Sequence, residues 1–428
     1  MKNKNILIIQ NYNANKGDSS VIYAMKQSIL NQDKSLTINL TSYNPVQAKK
    51  DYKLDSSEWL FDFRKIKLAK TKWRKLINLV KEALWIVYSF IWLFFYKTFD
   101  IKLWIPSFKT NTIKFYLKSD AVILPGGHFF TNFNSFPVII SHAYGILFGK
   151  WLGKKTMIYA QTIGPFFGKY KLITKKITYF VIKNTDIVTV RERYSYNKLK
   201  GNKNVFLTAE SAFLLHINTN LGLKINDFAK IRKNSKRLVG ITIHHIYYKH
   251  FFSKEKYINI MTEIFTEIIK KYSYNIVIIP MEYSYHAGGD RPLSIEIIKN
   301  MKYRNNIKLL DGDFNPLETA SIIANCDIFV GTKTHSIVYS LNALVPTISI
   351  SYQEKSTEFM DMFGVRDNVI NLKELSKESF MKIFDRVQKN KKYYIKIQEK
   401  HRLDVRKKAE ENNKLLLKLL QKSTPASS

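Results

Sequence analysis

Short runs of hydrophobic residues alternate along most of the chain with longer amphipathic stretches, and many of the runs end in glycine or small polar residues. This alternation is typical of βαβ units, whose strands form parallel sheets. The runs predict strands in the first half at 6–10, 36–40, 121–124, 156–160, 186–190 and 205–208, and in the second half at 237–243, 275–280, 307–310, 327–330 and 347–350. We therefore expect an α/β protein with two parallel sheets.

A polar, basic segment at 218–236 separates the two sets of strands. A chain of 428 residues is also long enough for two domains, each with its own core. We predict an N-terminal Rossmann-like domain over 1–220, a C-terminal Rossmann-like domain over 236–375, and C-terminal helices with a tail over 376–428.

The segment 59–118 departs from the βαβ rhythm, because it carries the uncharged aromatic run 84–96 between basic residues. As a helix this run is too short to span about 30 Å of hydrocarbon, which takes about 20 residues. The sequence therefore predicts that it does not cross a membrane. Two alternatives remain: a basic aromatic helix in the membrane interface, with contact through 64–97, or a hydrophobic helix packed on the first sheet.

The chain is strongly basic, with 69 Lys and Arg against 34 Asp and Glu and a formal net charge of +35. This charge attracts polyanions, although an AT-rich coding bias would also raise the lysine count. No nucleic-acid-binding motif accompanies the charge, so no nucleic-acid partner is expected. The single cysteine, Cys326, is predicted to pack in the core. A lone cysteine and a short N-terminal apolar run indicate a cytoplasmic protein.

Polar or glycine-containing loops follow four predicted strands of the first half. They contain Asn15, Gly17 and Asp18; then Gly126, Gly127 and His128; then Gln161; and finally Arg191. Open parallel sheets bind ligands at the carboxyl ends of their strands, and glycines allow a ligand to approach the backbone. Each loop taken alone could equally be an ordinary βα turn, and His128 could be incidental.

In the second half, residues 327–341 predict a strand, a turn at Gly331 and a helix that begins near Thr334. Lys333 and His335 would then lie at a helix N-terminus, which favours an anion. We expect the segment 331–335 to lie in the cleft between the two halves as part of the active site. Lys355, after a later strand, would hold a second anionic oxygen.

Asn315, Pro316 and Glu318 have the spacing of a helix N-cap, a first helical residue and the third residue of a capping box. Glu318 is therefore interpreted as a cap, with a role as a ligand as the alternative.

In chain order, these motifs resemble the polysaccharide pyruvyl transferase family over roughly residues 5–370. The matching positions are Asn15, Gly17 and Asp18; Gly126 and Gly127; Gln161, Ile163, Gly164 and Pro165; Val190, Arg191, Glu192 and Ser195; Ala212 and Phe213; Gly331, Lys333 and His335; and Pro346, Ser351, Tyr352 and Lys355.

The resemblance implies two Rossmann-like domains that face each other across a cleft, as in glycosyltransferase-B (GT-B) enzymes. It implies transfer of a pyruvyl group from phosphoenolpyruvate to two sugar hydroxyls, forming a ketal on a surface polysaccharide or its lipid-linked precursor. No metal and no cofactor are implied, since phosphoenolpyruvate is a substrate. Such an enzyme would be cytoplasmic, either free or peripheral on the inner face of the membrane.

Residue roles follow from the chemistry that the resemblance implies. His335 is predicted as the general acid, and Lys333, Lys355 and Arg191 as an anion clamp. The remaining donor-binding residues would be His244, Gly331, Thr334 and Ser336. The acceptor-binding residues would be Asn15, Gly17, Asp18, Gly126, Gly127, His128 and Gln161.

The chain departs from the family pattern at three places. The family has arginine at the position of Lys333 and commonly arginine near His244, and its Asp-Pro-Ala-Phe reads Glu210-Ser211-Ala212-Phe213 here. Lysine and histidine do not replace a bidentate arginine fork. An alternative function is therefore a GT-B glycosyltransferase in which Lys333 holds the diphosphate of a nucleotide sugar and Glu318 the ribose. A third alternative is a non-enzymatic basic protein that docks on membranes.

Overall fold

Two parallel β-sheets organise the computed structural model, which describes residues 4–13, 15–63, 66, 69–133, 135–245, 247–282 and 289–421. The chain divides into two compact units. Unit 1 comprises Met1–Asn13, Met25–Ser211 and Glu410–Ser428, and unit 2 comprises Ala14–Ala24 and Ala212–Ala409. The first turns of the first helix thus belong to unit 2, a division that differs from the simple boundary expected at 220–236.

Unit 1 contains an eight-stranded sheet in the order β3-β2-β1-β4-β6-β7-β8, with β5 paired to β6. Its strands pair in parallel throughout. The strands are β1 (Asn5–Asn11), β2 (Thr37–Ser42), β3 (Asp55–Ser57), β4 (Ala121–Leu124), β5 (Gly127–Phe130), β6 (Lys155–Ile163), β7 (Ile187–Val190) and β8 (Val205–Leu207). Because β4, β6 and β7 are neighbours, the loops after them meet at one edge of the sheet.

The helices of unit 1 follow the strands in the chain. They are α2 (Pro45–Tyr52), α3 (Lys72–Phe99), α4 (Ser107–Lys118), α5 (Phe136–Trp151), α6 (Lys171–Asn184) and α7 (Arg193–Leu199). Helix α1 (Lys16–Gln32) begins in the unit 2 segment and continues into unit 1. The core combines strand residues such as Leu7 and Val122 with Trp85 and Trp92 of α3.

Unit 2 contains a six-stranded parallel sheet in the order β11-β10-β9-β12-β13-β14. Its strands are β9 (Leu238–Ile241), β10 (Asn275–Ile278), β11 (Ile307–Leu309), β12 (Ile328–Gly331), β13 (Thr347–Ser351) and β14 (Val369–Asn371). Its helices are α8 (Thr219–Leu223), α9 (Asn226–Lys233), α10 (Lys254–Tyr272), α11 (Arg291–Asn300), α12 (Pro316–Ile323), α13 (Thr334–Asn342), α14 (Glu354–Met362), α15 (Lys377–Lys389) and α16 (Lys391–Gln421), whose last turns belong to unit 1.

All eleven strands predicted from the hydrophobic runs are present, with ends that differ by a few residues. Three further strands, β3, β5 and β14, are three or four residues long and were not predicted. Their sequences, Asp-Ser-Ser, Gly-His-Phe-Phe and Val-Ile-Asn, include polar residues or glycine and do not form continuous apolar runs. The segment expected to be a polar linker, 218–236, contains the short helices α8 and α9.

Cys326 packs in the core of unit 2, as predicted, with 7% of its surface exposed. Gly240 of β9 makes room for it, because a Cβ at residue 240 would lie 2.6 Å from the Cys326 Sγ. Burial raises the pKa of the Cys326 thiol, which keeps it protonated.

Helix α3 contains the uncharged aromatic run 84–96. It extends over 28 residues, so the helix is far longer than its uncharged run, and by length and composition it could cross a membrane. The length of the uncharged run therefore does not by itself decide whether α3 crosses a membrane, and the expectation that it does not cross stays a prediction. The contacts of α3, however, place one of its faces in the core of unit 1, where Trp85, Trp92 and Leu93 are buried.

Candidate functional site

The loop between β12 and α13 is fixed by small and hydroxylated residues. A side chain at Gly331 would overlap Cγ1 of Ile337, so glycine is needed there. Thr332 donates its backbone N–H to Thr242 Oγ1 (3.1 Å) and its hydroxyl to the Thr242 carbonyl (2.8 Å). Helix α13 begins at Thr334, as predicted. The loop therefore presents Lys333 and His335 at the start of this helix.

Lys333 lies between two carboxylates. Its Nζ is 2.8 Å from Asp290 Oδ1 and 3.1 Å from Glu282 Oε2, and only 8% of the residue is exposed. Two negative charges thus more than neutralise its single positive charge within unit 2. An anion clamp needs a lysine whose charge is available to the ligand. In the structure, the Lys333 charge is paired with two carboxylates of the protein.

Asp290 is the centre of this ion-pair cluster. Its Oδ2 accepts the backbone N–H groups of Met281 (3.0 Å) and Glu282 (3.1 Å), and its Oδ1 is 2.8 Å from His245 Nδ1. Burial by itself would raise the pKa of Asp290, but Lys333 and the hydrogen bonds outweigh it and lower the pKa to about 2. Asp290 is not predictable from the sequence, because no motif or spacing marks it.

Asp290→Asn is expected to remove an acid-sensitive contribution to stability. The folded-state pKa lies below the value of 3.8 for an unperturbed aspartate. The stabilisation is therefore complete above about pH 4 and is lost as the pH falls towards 2. Thermal unfolding measures this effect. At pH 7 the melting temperature of the variant should be lower than that of the wild type, and it should decrease less steeply as the pH is lowered.

Asp311→Asn is the matched control for this measurement, because the Asp311 side chain is 58% exposed. It should leave the acid dependence unchanged. If the wild type and Asp290→Asn lost stability in parallel between pH 4 and 2, the ion-pair cluster would not be the source of the effect.

His335 lies directly against the first turn of α1. A Cβ at residue 17 would be 2.7 Å from Cγ of His335 and nearer still to Nδ1. The Gly17 N–H donates to the Asn15 side-chain oxygen at 2.7 Å, which fixes this turn, and Asp18 follows in the same turn. Gly17 is therefore needed to make room for the imidazole, and the Asn15–Asp18 loop belongs with His335 in unit 2.

Gly17→Ala is expected to displace the His335 imidazole and to destabilise unit 2 by about 1–3 kcal/mol, the usual cost of overpacking. Most of this cost should disappear when His335 is also replaced by alanine, because the obstructing ring is then absent. A double-mutant cycle of denaturant unfolding measures this coupling. Additive effects of the two substitutions would contradict the contact.

Lys16 is a buried cation in the same turn, with 6% of its surface exposed. Its Nζ donates to the Pro280 carbonyl at 3.2 Å, and its carbonyl accepts the Tyr339 hydroxyl at 2.9 Å. Burial lowers the pKa of Lys16 to about 8, although the carboxylates of Asp313, Asp290 and Glu318 oppose this shift. Lys16 can therefore lose or gain a proton near neutral pH. Lys16 is not among the predicted site residues, although it lies between the motif residues Asn15 and Gly17.

His244 lies close enough to Lys333 and Lys355 for both charges to act on its imidazole. The ring centroid of His244 is 5.0 Å from that of Tyr352, in an edge-on arrangement. Burial holds the pKa of His244 well below its usual value, with further lowering by Lys333 and Lys355, so this imidazole is neutral. A neutral ring offers an anion no charge, unlike the arginine that it replaces.

Two hydroxyls predicted for donor binding form contacts inside the protein. Thr334 Oγ1 is 3.0 Å from the Ser356 hydroxyl, which ties the start of α13 to α14 beside Lys355. Ser336 donates to the Lys333 carbonyl at 2.7 Å and lies 2.9 Å from Thr242 Oγ1. These bonds hold the loop in place.

Glu318 caps α12, as predicted. Its side chain accepts the Asn315 N–H at 2.8 Å, and the Asn315 side chain accepts the Glu318 N–H at 3.0 Å. The alternative role of Glu318 as a ribose ligand receives no support from these contacts.

The predicted residues at the strand ends of unit 1 form a second group. Gln161 is fully buried; its amide donates to the Pro125 carbonyl and accepts the Phe129 N–H at 3.4 Å. Gly127 is the first residue of strand β5. His128 is partly exposed, with Nε2 2.9 Å from the Gly164 carbonyl. Of this group, His128 keeps an accessible side chain.

Arg191 is buried in unit 1, with 1% of its surface exposed. Its guanidinium pairs with Glu210, lies 3.7 Å from Glu192 and donates to the Thr162 hydroxyl at 2.9 Å. The Arg191 and Glu210 motif positions are thus explained by one buried ion pair. These contacts give no support to the prediction that Arg191 belongs to an anion clamp.

The structure therefore brings together in unit 2 the residues predicted around His335 and the loop from Asn15 to Asp18. It places Arg191, Gln161, His128 and the glycine pair in unit 1. Among the described residues, no group of three or more His, Cys, Asp or Glu side chains is arranged to hold a metal ion.

Two parallel sheets with helices between their strands define a Rossmann-type α/β protein. The sequence matches the profile of the polysaccharide pyruvyl transferases over residues 15–354, and the chain belongs to this family. A relative is the amylovoran biosynthesis protein AmsJ of Erwinia amylovora, which is 24% identical over 297 residues, or 66% of this chain and 67% of that protein.

Solved structures support the same fold class. The S. aureus MnaA–UDP co-structure superposes with a TM-score of 0.63 at 10% identity and covers 98% of both chains. UDP-GlcNAc 2-epimerase from Neisseria meningitidis, bound to UDP-GlcNAc, gives 0.56 at 11% identity over 98% of this chain and all of the other. A glycosyltransferase from Rickettsia africae gives 0.54 at 13% identity, covering 99% of this chain and all of the other. At these identities the similarity concerns the fold alone, and the expected α/β, GT-B-like class is confirmed.

Proposed function

We propose that this protein transfers a pyruvyl group from phosphoenolpyruvate to two hydroxyls of a sugar during surface polysaccharide biosynthesis. Membership of the polysaccharide pyruvyl transferase family supports the reaction class. The observation that carries the proposal is the position of His335. Its imidazole lies at the start of α13 and against the α1 turn that carries the buried Lys16.

In the proposed reaction, His335 donates a proton to the methylene carbon of phosphoenolpyruvate. The first sugar hydroxyl then bonds to the central carbon, the bond from that carbon to the phosphate oxygen breaks, and the second hydroxyl completes the ketal. One proton has entered the new methyl group and two have left the hydroxyls, so the departing phosphate takes up one proton. A positioned acid contributes about 10²–10⁴-fold to such a step.

The cations available to the donor differ from those first predicted. Lys355 and Lys16 are proposed to face the phosphate and carboxylate, together with the N–H groups at the start of α13. Lys333 is held by Asp290 and Glu282, so it is proposed to contribute a fixed charge whose net effect is small. This arrangement uses point charges where the family uses arginine forks.

The acceptor is proposed to be a glycan or a lipid-linked oligosaccharide. Asn15 and Asp18 are suited to bind its hydroxyls, because they lie in the turn that contacts His335. Since phosphoenolpyruvate is a cytoplasmic metabolite, we infer that the enzyme acts in the cytoplasm, at the inner face of the membrane. The contact is proposed through residues 64–97, of which 64, 65, 67 and 68 lie outside the described residues.

Incubation of the purified chain with phosphoenolpyruvate and a panel of oligosaccharides tests the proposal. Phosphate should be released only when a suitable acceptor is present, and mass spectrometry should show that the acceptor gains one pyruvate less one water. Thermal stabilisation by a nucleotide sugar, without any effect of phosphoenolpyruvate, would instead favour a nucleotide-sugar glycosyltransferase.

A further inference from the structure

Helix α3 has two opposite faces. Trp85, Ser89 and Trp92 are buried, and they are spaced so that they share one face of a helix that turns 100° per residue. Trp85 donates its indole N–H to the Leu60 carbonyl (2.9 Å) and Trp92 donates to the Leu103 carbonyl (3.1 Å). This face fixes α3 lengthwise on unit 1.

The opposite face is apolar and exposed. Leu84, Val87, Ile91 and Phe94 follow at intervals of three and four residues, and the exposed fraction of their surfaces runs from 46% to 65%. Val80 and Ile77 continue the same stripe one turn earlier. Exposed apolar patches of this extent mark interaction sites in soluble proteins.

An apolar groove runs beside this stripe. It has a volume of about 430 Å³ and lies between Leu84, Tyr88 and Ile91 of α3 and Trp104, Pro106 and Phe108 of the following segment. The Trp104 side chain is 75% exposed at its edge. Interfacial tryptophans and apolar grooves of this kind suit hydrocarbon chains.

Cations flank the apolar stripe. At 100° per residue, Lys72 and Lys97 project about 90° to one side of the stripe and Lys81 about 90° to the other. The helix carries five basic residues, and its single acidic residue, Glu82, is buried in an ion pair with Lys109 at 3.3 Å. Any surface that meets this face therefore meets positive charge at both edges and no carboxylate of α3.

We propose that α3 lies in the plane of an anionic lipid bilayer, with the stripe from Ile77 to Phe94 immersed in the interface and with the groove open to a lipid chain. Amphipathic helices with apolar faces and lysine borders bind anionic membranes in this manner. The buried Glu82–Lys109 pair and the packed tryptophans exclude a crossing, because a crossing would expose them to hydrocarbon.

Vesicle flotation tests the proposal with the full chain. The wild type should float with vesicles of phosphatidylcholine and phosphatidylglycerol in equal parts, and more weakly with phosphatidylcholine alone. The triple variant Leu84→Ser, Val87→Ser and Ile91→Ser should lose roughly tenfold or more of its partitioning, since three large aliphatic side chains are removed from the interface. Lys72→Gln, Lys81→Gln and Lys97→Gln should abolish the preference for the anionic lipid and its sensitivity to salt.

The matched control is Leu172→Ser, Ile173→Ser and Phe180→Ser on α6, which removes three equally exposed apolar side chains. It should float like the wild type, and all variants should keep the melting temperature of the wild type. Equal flotation of the two apolar triple variants would overturn the proposal. Failure of the wild type to bind anionic vesicles would also overturn it. A dimer that the α3 substitutions dissociate would then identify a second copy of the chain as the partner of this face. Flotation does not involve phosphoenolpyruvate, so this result is independent of the proposed reaction.

Discussion

Replacement of His335 by glutamine is expected to lower kcat by about 10²–10⁴-fold, the contribution of a positioned general acid. Glutamine approximates the size and hydrogen bonding of the imidazole but cannot donate a proton to carbon. The Gly17 contact should therefore survive, and the affinity for phosphoenolpyruvate should change little. Acceptor-dependent phosphate release measures kcat, and thermal unfolding shows whether the fold is kept.

His216→Gln is the control for this prediction, because His216 is an exposed histidine elsewhere in unit 2. It should be fully active. Turnover of His335→Gln within tenfold of the wild type would remove His335 from the role of proton donor, while leaving the family and the reaction class in place.

Replacement of Arg191 by methionine is expected to destabilise unit 1 by about 3–5 kcal/mol, because it leaves Glu210 and Glu192 as buried carboxylates without their cation. For a unit of this size the melting temperature should fall by about 10 °C. Thermal unfolding followed by circular dichroism measures this effect. If Arg191 instead held the anionic groups of the donor, Arg191→Met should have the stability of the wild type and a raised KM for phosphoenolpyruvate.

Two further variants sharpen the comparison. Arg193→Met changes an exposed arginine two residues away and should stay within about 0.5 kcal/mol of the wild type. Adding Glu210→Gln to Arg191→Met should recover part of the lost stability, since it removes one unpaired buried charge. If Arg191→Met were as stable as Arg193→Met, the buried ion pair would contribute nothing measurable.

The features that the sequence revealed depend on local or periodic patterns. Most buried parallel strands are apolar runs, so eleven of the fourteen strands in the described residues were predicted. The start of α13 at Thr334 and the capping box of Asn315 and Glu318 follow from residues close together in the chain. The order of the motifs sufficed to identify the family, and the profile match confirms it.

The partners of the charged residues were decided by tertiary contacts. Lys333 and Arg191 look alike in sequence as cations after a strand, yet each is paired with carboxylates from distant positions, Asp290 and Glu282 in one case and Glu210 in the other. The charge that remains available to a ligand depends on such pairs, and no local pattern marks them. For the same reason Lys16 was overlooked, since its lowered pKa arises from burial.

The sequence by itself determined the two sheets, the family and the place of His335 at a helix start, because strand periods, caps and motif spacing are properties of short segments. Three features depend on the tertiary structure. The His335 imidazole occupies the space beside Gly17 that a side chain would fill, and Lys333 and Arg191 form ion pairs with carboxylates of the protein. Helix α3 buries one face and exposes the other. Each of these depends on which distant residues pack together, and burial and pairing set both the charge state and the accessibility of a side chain.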